Sequence, residues 1–237
     1  MSQTDSRTTY ERVGDVAVIT MDDGKANALS YAMLEELDAA LTRAEQEASA
    51  IVLAGRERRF SAGFDLKVMM QGPAAAAGLL TRGADVMMRL YGCPLPTVAA
   101  CTGHALAGGS LLLLCCDLRV GTEGSFKIGL NEVEIGLPVP HLAYRLAADR
   151  LARTEFYSAT LMAKIYDPAG AVRSGYLDRA IAADEVLATA KAEAARLGAL
   201  PKHSYSHTKH SVRAPIIQEI RDTLKSNIEQ ITALAGG

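Results

Sequence analysis

Apolar and polar positions alternate at the start of the chain and then change to helical spacing. Residues 10–22 (YERVGDVAVITMD) alternate, are rich in Val and Ile, and carry a Gly-Asp pair between two short runs, which predicts a β-hairpin. Ser30 precedes residues 31–47, where leucines recur every three or four positions and acidic residues fill the positions between. This pattern predicts an amphipathic helix capped by Ser30.

Two short apolar runs further along the chain are typical of buried parallel strands. They are residues 50–54 (AIVLA) and 97–101 (TVAAC), and residues 117–120 form a third candidate strand. Segments with helical spacing, residues 74–92 and 110–116, lie between these runs. The recurring order of strand, turn, helix and strand predicts an α/β fold with crossover connections.

The pattern changes after Pro140. Four Ala- and Leu-rich segments with exposed charges predict helices over residues 141–163, 168–175, 184–198 and 201–234. We therefore expect a β-rich core over residues 1–140 and a helical C-terminal region over 141–237.

Composition excludes several classes of protein. The net charge is −2 and the pI is about 6.2, which argues against a nucleic-acid binder. The most apolar stretch, residues 106–116, is about half of the roughly 20 residues that a membrane span needs. The first residues lack the basic and apolar regions of a signal peptide, so we expect a cytoplasmic protein. The four cysteines lie in or beside apolar segments without a CxxC pair, which predicts buried free thiols and no metal site.

Gly63 and the Gly108-Gly109 pair stand where apolar strands give way to helices. Glycine lets the backbone approach a ligand closely, and a helix N-terminus offers unpaired N–H groups. Two such groups that converge on one oxygen form an oxyanion hole. The spacing alone is also compatible with glycines that only permit close packing. Neither turn matches a phosphate loop or a GxGxxG dinucleotide motif.

Three segments make a more specific pattern. RRFSAGFDLK, PTVAACTGHALAGGSLLLLCCDLRV and KIGLNEVEIGLPVP, in that order, resemble the crotonase (enoyl-CoA hydratase/isomerase) superfamily over roughly residues 10–235. The resemblance implies an α/β fold made of a ββα spiral core with a C-terminal helical region that mediates trimers or hexamers. It also implies a coenzyme A thioester as substrate and no cofactor. The backbone N–H groups of Phe64 and Gly108 would stabilise the thioester enolate. Ala107 departs mildly from the three glycines that many members carry.

The resemblance also indicates which acid–base groups are present. Family hydratases use two glutamates, and their positions fall here on Leu111 and Glu132. A single glutamate in an LNE setting is similar to enoyl-CoA isomerases, which convert 3-enoyl-CoA to trans-2-enoyl-CoA. One carboxylate in an apolar pocket is sufficient for such a double-bond shift. Two alternatives stay open: a hydratase or other crotonase-type enzyme that uses Glu134, His104 or His141, and a non-catalytic acyl-CoA-binding protein in which Glu132 points outward.

Substrate contacts are likewise implied by the resemblance. The positions that it assigns to the substrate are Lys25, Ala26, Ala62, Asp65, Leu66, Leu111 and Leu137. Coenzyme A carries phosphates, so its site needs cations at the mouth, and Lys67 and Lys209 are further candidates for that role. Asp65, at a predicted helix start, is also expected to stabilise the first helical turn.

Overall fold

The computed structural model of the protein describes residues 6–234. Its strands are β1 (Thr8–Val13), β2 (Val16–Met21), β3 (Ala28–Leu29), β4 (Ala50–Ala54), β5 (Arg58–Ser61), β6 (Gly63–Phe64), β7 (Thr97–Cys101), β8 (Gly103–Leu106), β9 (Leu118–Thr122), β10 (Ile128–Gly129) and β11 (Arg179–Ile181). Its helices are α1 (Tyr31–Glu47), α2 (Leu66–Met69), α3 (Pro73–Tyr91), α4 (Gly108–Cys115), α5 (His141–Arg150), α6 (Phe156–Thr160), α7 (Pro168–Ser174), α8 (Val186–Gly198) and α9 (Lys202–Leu234).

A six-stranded sheet forms the centre of the fold, in the order β1-β2-β4-β7-β9-β11. The hairpin pair β1–β2 is antiparallel and the other neighbours are parallel. Every residue of β4 and β7 is buried because α1 and α3 supply apolar side chains to one face and α8 packs on the other. The predicted hairpin, the strands at 50–54 and 97–101 and the helix at 31–47, with the Ser30 side chain as its N-cap, are confirmed.

A smaller parallel sheet, β10-β8-β5, and a two-stranded pair, β3-β6, extend this core. In parallel strands the carboxyl ends meet at one edge. Here these ends lead to the turn at Gly63, to the turn at Ala107 and to the segment that begins at Leu130. The small sheet therefore brings the glycine turns and the LNE segment to one place.

The C-terminal half departs from the predicted pattern in two ways. The helix expected over 141–163 is interrupted, because the backbone becomes extended at Leu151 and α5 ends there. Residues 179–181 form β11, which joins the main sheet beside β9. Residues beyond 140 therefore contribute a strand to the main sheet. The division into a core over 1–140 and a helical region over 141–237 stays a prediction.

Helix α9 is held to the core by a buried ionic cluster. The Asp117 carboxylate forms ion pairs with Lys209 Nζ at 2.7 Å and with Arg213 at 2.8 Å, and it accepts a hydrogen bond from the Tyr205 hydroxyl at 2.8 Å. Lys209 also donates to the Leu95 carbonyl and is buried. The expectation that Lys209 contacts coenzyme A phosphates is therefore wrong, because its ammonium group is occupied inside the protein.

The four cysteines are buried and free, as predicted. Residues 6–234 contain no group of three or more His, Cys, Asp or Glu side chains arranged to hold a metal ion. Over the same residues, no helix combines the length and the apolar character that crossing a membrane requires.

Candidate functional site

The LNE segment leaves the small sheet beside the second glycine turn. In the pairing of β8 with β10, Leu106 lies opposite Gly129. One residue later the Ala107 N–H donates to the Gly129 carbonyl at 3.0 Å. The chain then passes through Leu130 to Glu132, so the sheet register brings this glutamate to the same edge as the α4 N-terminus.

The two glycine turns are in direct contact. Gly63 has φ +90°, and a Cβ atom there would lie 3.0 Å from the Leu106 carbonyl oxygen and 3.1 Å from the Gly108 nitrogen. Both the backbone conformation and the space therefore require glycine. Gly108 is the first residue of α4, so its N–H has no partner within the helix. Ala107, just before it, adopts φ +48° and turns the chain into the helix.

The Phe64 ring fixes the first turn from the side. A Cβ atom on Gly83 of α3 would lie 2.2 Å from this ring, and one on Gly108 would lie 3.1 Å from it. The ring is thus clamped between α3 and α4, and only glycine at position 83 leaves room for it. This packing restrains the backbone of Phe64, whose N–H the sequence predicts as an oxyanion donor.

Sequence reasoning missed Asn27, which joins the loop before β3 to the first glycine turn. Asn27 is fully buried, and its amide nitrogen donates to carbonyl groups that include that of Phe60. Its side-chain oxygen accepts the Asp23 N–H at 3.0 Å. The Ser61 hydroxyl donates to the Asn27 carbonyl at 2.7 Å and accepts the Gly63 N–H at 3.2 Å. The available signal was an asparagine in a turn, a residue type that tolerates the positive φ of 53° found here.

The predicted substrate positions in the first part of the chain lie on two adjacent loops. The Ala62 N–H donates to the Ala26 carbonyl at 3.0 Å, so the loop with Lys25 runs beside the Phe64 turn. Lys25 and Leu66 are exposed. Asp65 caps α2 by accepting the Lys67 N–H at 2.9 Å, in agreement with the expected helix-start role. Their contacts with substrate stay predictions.

The carboxyl group of Glu132 is buried. The residue is 8% exposed, and its Oε2 atom has no hydrogen-bond partner among the described residues. Burial raises the pKa of this carboxyl to about 7, although its own backbone N–H opposes the rise. Glu134, two residues further on, is exposed. Of the two glutamates in the LNE segment, only Glu132 has the environment of an acid–base group.

The remaining predicted positions are Leu111 and Leu137. Leu111 is 2% exposed and belongs to the main apolar core. Leu137 is half-buried, and its N–H donates to the Glu132 carbonyl at 2.8 Å. Leu111 therefore leaves no ionisable side chain at the position where family hydratases carry their other glutamate.

The two candidate histidines are engaged elsewhere. His104 Nδ1 accepts the Lys127 N–H at 3.0 Å, and burial and three nearby cations lower the pKa of its ring. His141 is buried against α9, where its ring nitrogens contact Thr223 and Glu219. Neither contact orients an imidazole toward Glu132.

A surface cleft of about 430 Å³ lies beside the LNE segment. Its lining residues are Val133, Glu134, Leu161, Met162, Ala163 and Ile165. Most are apolar, and Leu161 and Met162 are largely exposed. The cleft lies next to the segment that carries the acid–base candidate.

The parallel strands bring two glycine turns that touch each other and a buried carboxyl group to one edge. This arrangement defines an α/β protein with a candidate acid–base site. Residues 11–234 match the family model described as enoyl-CoA hydratase/isomerase, and the chain belongs to this family.

Its relatives carry both names. The mouse protein "Enoyl-CoA delta isomerase 1, mitochondrial" is 29% identical over 223 residues, which cover 92% of this chain and 77% of the mouse protein. A "Probable enoyl-CoA hydratase" of Rhizobium meliloti is 31% identical over 219 residues, which cover 91% and 84%. Sequence similarity therefore supports an enoyl-CoA reaction without distinguishing between the two.

Solved structures show the same fold. Human mitochondrial delta3-delta2-enoyl-CoA isomerase superposes with a TM-score of 0.91 at 27% identity, covering 96% of this chain and 91% of the human chain. An enoyl-CoA isomerase of Mycobacterium tuberculosis gives 0.88 at 36% identity, covering 96% and 98%. An enoyl-CoA hydratase/isomerase family protein of Pseudomonas syringae gives 0.89 at 37% identity, covering 94% and 96%. The expected crotonase-type α/β fold is confirmed.

Proposed function

We propose that this protein is an enoyl-CoA isomerase that moves a 3-enoyl-CoA double bond to the conjugated 2-position, with Glu132 as its sole acid–base group. The observation that carries the proposal is the burial of the Glu132 carboxyl, with Oε2 unpartnered, at the edge where the two glycine turns meet. Because burial raises its pKa, a carboxyl in this position is a suitable proton carrier near neutral pH.

The reaction needs one proton to leave C2 and one to arrive at C4. Glu132 as carboxylate removes the C2 proton, and the electron pair spreads over the thioester oxygen, C2 and C4. The N–H groups of Phe64 and Gly108 would stabilise the negative charge on that oxygen. The protonated Glu132 then delivers its proton to C4, which leaves the double bond between C2 and C3 and regenerates the carboxylate.

A hydratase reaction has less support in this chain. Water addition needs one group to activate water and another to protonate the α-carbon. Leu111 is apolar and buried, Glu134 is exposed, and His104 and His141 have other partners. A non-catalytic acyl-CoA-binding protein has no need for a carboxyl that is 8% exposed, so the burial of Glu132 favours an enzyme.

Coenzyme A would bind at the mouth of this site. The adjacent loops that carry Lys25 and Leu66 are exposed there, and Arg56 donates to the Lys25 carbonyl at 2.8 Å. Cationic side chains on this rim suit the phosphates of coenzyme A. The chemistry requires no cofactor.

The test offers 3-enoyl-CoA and 2-enoyl-CoA separately to the wild type, Glu132→Gln and Glu134→Gln. We expect the wild type to conjugate the first substrate and to leave the second almost unhydrated. Glu132→Gln keeps the shape but loses the proton affinity, so its rate should fall by about 10²–10⁴. Glu134→Gln is the matched control and should retain wild-type activity. Efficient hydration by the wild type, or a fully active Glu132→Gln, would overturn the proposal.

A further inference from the structure

Ser110 lies in the first turn of α4, two residues after Gly108, and is fully buried. Its hydroxyl donates to the Ala107 carbonyl oxygen at 2.8 Å. The same oxygen accepts the Ser110 N–H at 2.9 Å and the Leu111 N–H at 3.2 Å. Three hydrogen bonds therefore converge on one carbonyl group, and the hydroxyl of Ser110 supplies the side-chain donor among them.

The Ala107 carbonyl and the Gly108 N–H belong to the same peptide group. A trans peptide is planar, so its N–H points in the direction opposite to its carbonyl. The three donors draw the Ala107 carbonyl toward α4, and the Gly108 N–H consequently points out of the helix, as an oxyanion donor must. Hydrogen bonds to a carbonyl also polarise its peptide, which makes this N–H a stronger donor.

The orientation of this peptide is unfavourable for alanine. Ala107 has φ +48° and ψ −124°, close to the values of the first central residue of a type II′ turn, a position where glycine dominates. Rotation of the peptide by half a turn would move Ala107 into the left-handed α region, which non-glycine residues adopt more readily. The rotated peptide would present a carbonyl oxygen in place of the Gly108 N–H. The hydrogen bonds to the carbonyl therefore oppose a local preference for an orientation that cannot stabilise an anion.

We propose that Ser110 is a positioning residue for the oxyanion hole, because its hydroxyl holds the Ala107–Gly108 peptide in the orientation that presents the N–H to the thioester oxygen. The inference rests on the proposed function, in which this N–H stabilises the enolate.

Ser174 provides a matched control. It is fully buried, and its hydroxyl donates to the carbonyl of Ala171, three residues before it, at 3.2 Å. Both residues belong to α7, so this bond has the same spacing but lies within a regular helix.

The first test observes the peptide itself in the ligand-free protein. Alanine labelled with ¹³C at the carbonyl carbon and glycine labelled with ¹⁵N restrict the NMR spectrum to Ala-Gly peptides, and Ala107→Gly identifies the Ala107–Gly108 signal by its loss. Ser110→Ala should shift or split this signal, whereas Ser174→Ala should leave it in place. An unchanged signal in Ser110→Ala would overturn the inference. The measurement involves no substrate, so its outcome is independent of the proposed reaction.

The second test is kinetic. Ser110→Ala should lower kcat roughly tenfold, the effect of one lost hydrogen bond. KM should change less than about twofold, because the uncharged thioester oxygen gains less from the N–H than the enolate oxygen does. Adding Ala107→Gly to Ser110→Ala should restore most of kcat, because glycine adopts the required conformation without strain. Ser174→Ala should retain wild-type kcat. Wild-type kcat in folded Ser110→Ala would contradict the positioning role.

Ser110→Cys covers the case in which Ser110→Ala does not fold. The thiol fills the same space but is a weak donor, so kcat should fall and the Ala107–Gly108 signal should shift. Adding Ala107→Gly should again restore most of kcat. A Ser110→Cys enzyme with wild-type kcat and an unshifted signal would overturn the inference.

Discussion

At the scale of the residue, the protein places a carboxyl group where a charge is unfavourable. Glu132 is 8% exposed, and burial raises its pKa to about 7 from an ordinary value of 4.5. In the function that we propose, the same desolvation that lowers the stability of the folded state makes the carboxyl basic enough to accept a carbon-bound proton. Stability and activity at this position are therefore expected to change in opposite directions.

The pH dependence of stability tests this directly. Between pH 4.5 and 7 the folded state retains a proton on Glu132 that the unfolded state has released, so unfolding becomes easier as the pH rises. Above pH 7 the loss is complete and amounts to about 3 kcal/mol. Glu132→Gln should be as stable as the wild type near pH 4.5 and more stable by about this amount at pH 8, as measured by urea denaturation. Glu134→Gln is the control for the removal of a negative charge. Equal stability of Glu132→Gln and the wild type at pH 8 would contradict the claim that burial of the Glu132 carboxyl raises its pKa.

At the scale of the element, the site depends on the contact between two turns. Gly63 combines φ +90° with backbone atoms about 3 Å from the place of a Cβ atom. The strand ends of β5, β8 and β10 bring these turns to one edge, and Asn27 and Ser61 hold the first of them. No local sequence pattern records this contact, because it depends on which strands become neighbours.

We expect Gly63→Ala to separate the turns. The substitution forces both an unfavourable φ and a close contact with Gly108, and should cost roughly 2–4 kcal/mol. The activity of the folded fraction should fall as well, because the Phe64 and Gly108 N–H groups move apart. Gly14→Ala is the control, since Gly14 has φ +60° with no atom within 4 Å. The melting temperature and kcat of both variants are measured. A Gly63→Ala enzyme with wild-type kcat would show that catalysis does not need the contact between the two turns.

The elements that the sequence predicted well are those with a long or simple pattern. The leucine spacing of α1 and the apolar runs of β4 and β7 are local properties, and the structure has them at the predicted residues. β11 has three residues and no distinct pattern, so only its pairing with β9 makes it a strand. In the candidate site, the LNE motif points to Glu132, and the structure shows that this residue is buried. Asn27 was not predicted, because its contacts with Phe60 and Ser61 depend on the tertiary fold.

At the scale of the whole molecule, several large apolar side chains are exposed. Large apolar side chains that are more than 60% exposed occur on several elements: Met70, Met162, Leu161, Tyr157 and Val212. Tyr157, Leu161 and Met162 are close in the chain, and a group of exposed apolar side chains commonly marks an interaction site. Together with the family resemblance, they support our prediction of a homotrimer or a dimer of trimers. The cytoplasmic location stays a prediction from the sequence.

Analytical ultracentrifugation at micromolar concentration checks the assembly. We expect a mass three or six times the 25.1 kDa of one chain. Replacing the exposed pair Leu161 and Met162 with serine tests whether their patch belongs to the interface, with Val13→Ser on the exposed hairpin as control. A wild-type monomer would contradict the prediction.

The account's central claim is that Glu132 alone carries the proton from C2 to C4, and isotope transfer in a single turnover tests it most directly. The substrate is 3-enoyl-CoA with deuterium at both C2 positions, in ordinary water. A buried carboxyl that shuttles one proton should place deuterium at C4 of the 2-enoyl-CoA product, and Glu132→Gln should form no such product on this timescale. Product formed by Glu132→Gln at the wild-type rate, with only solvent hydrogen at C4, would show that another group supplies the proton and would contradict the single-base mechanism.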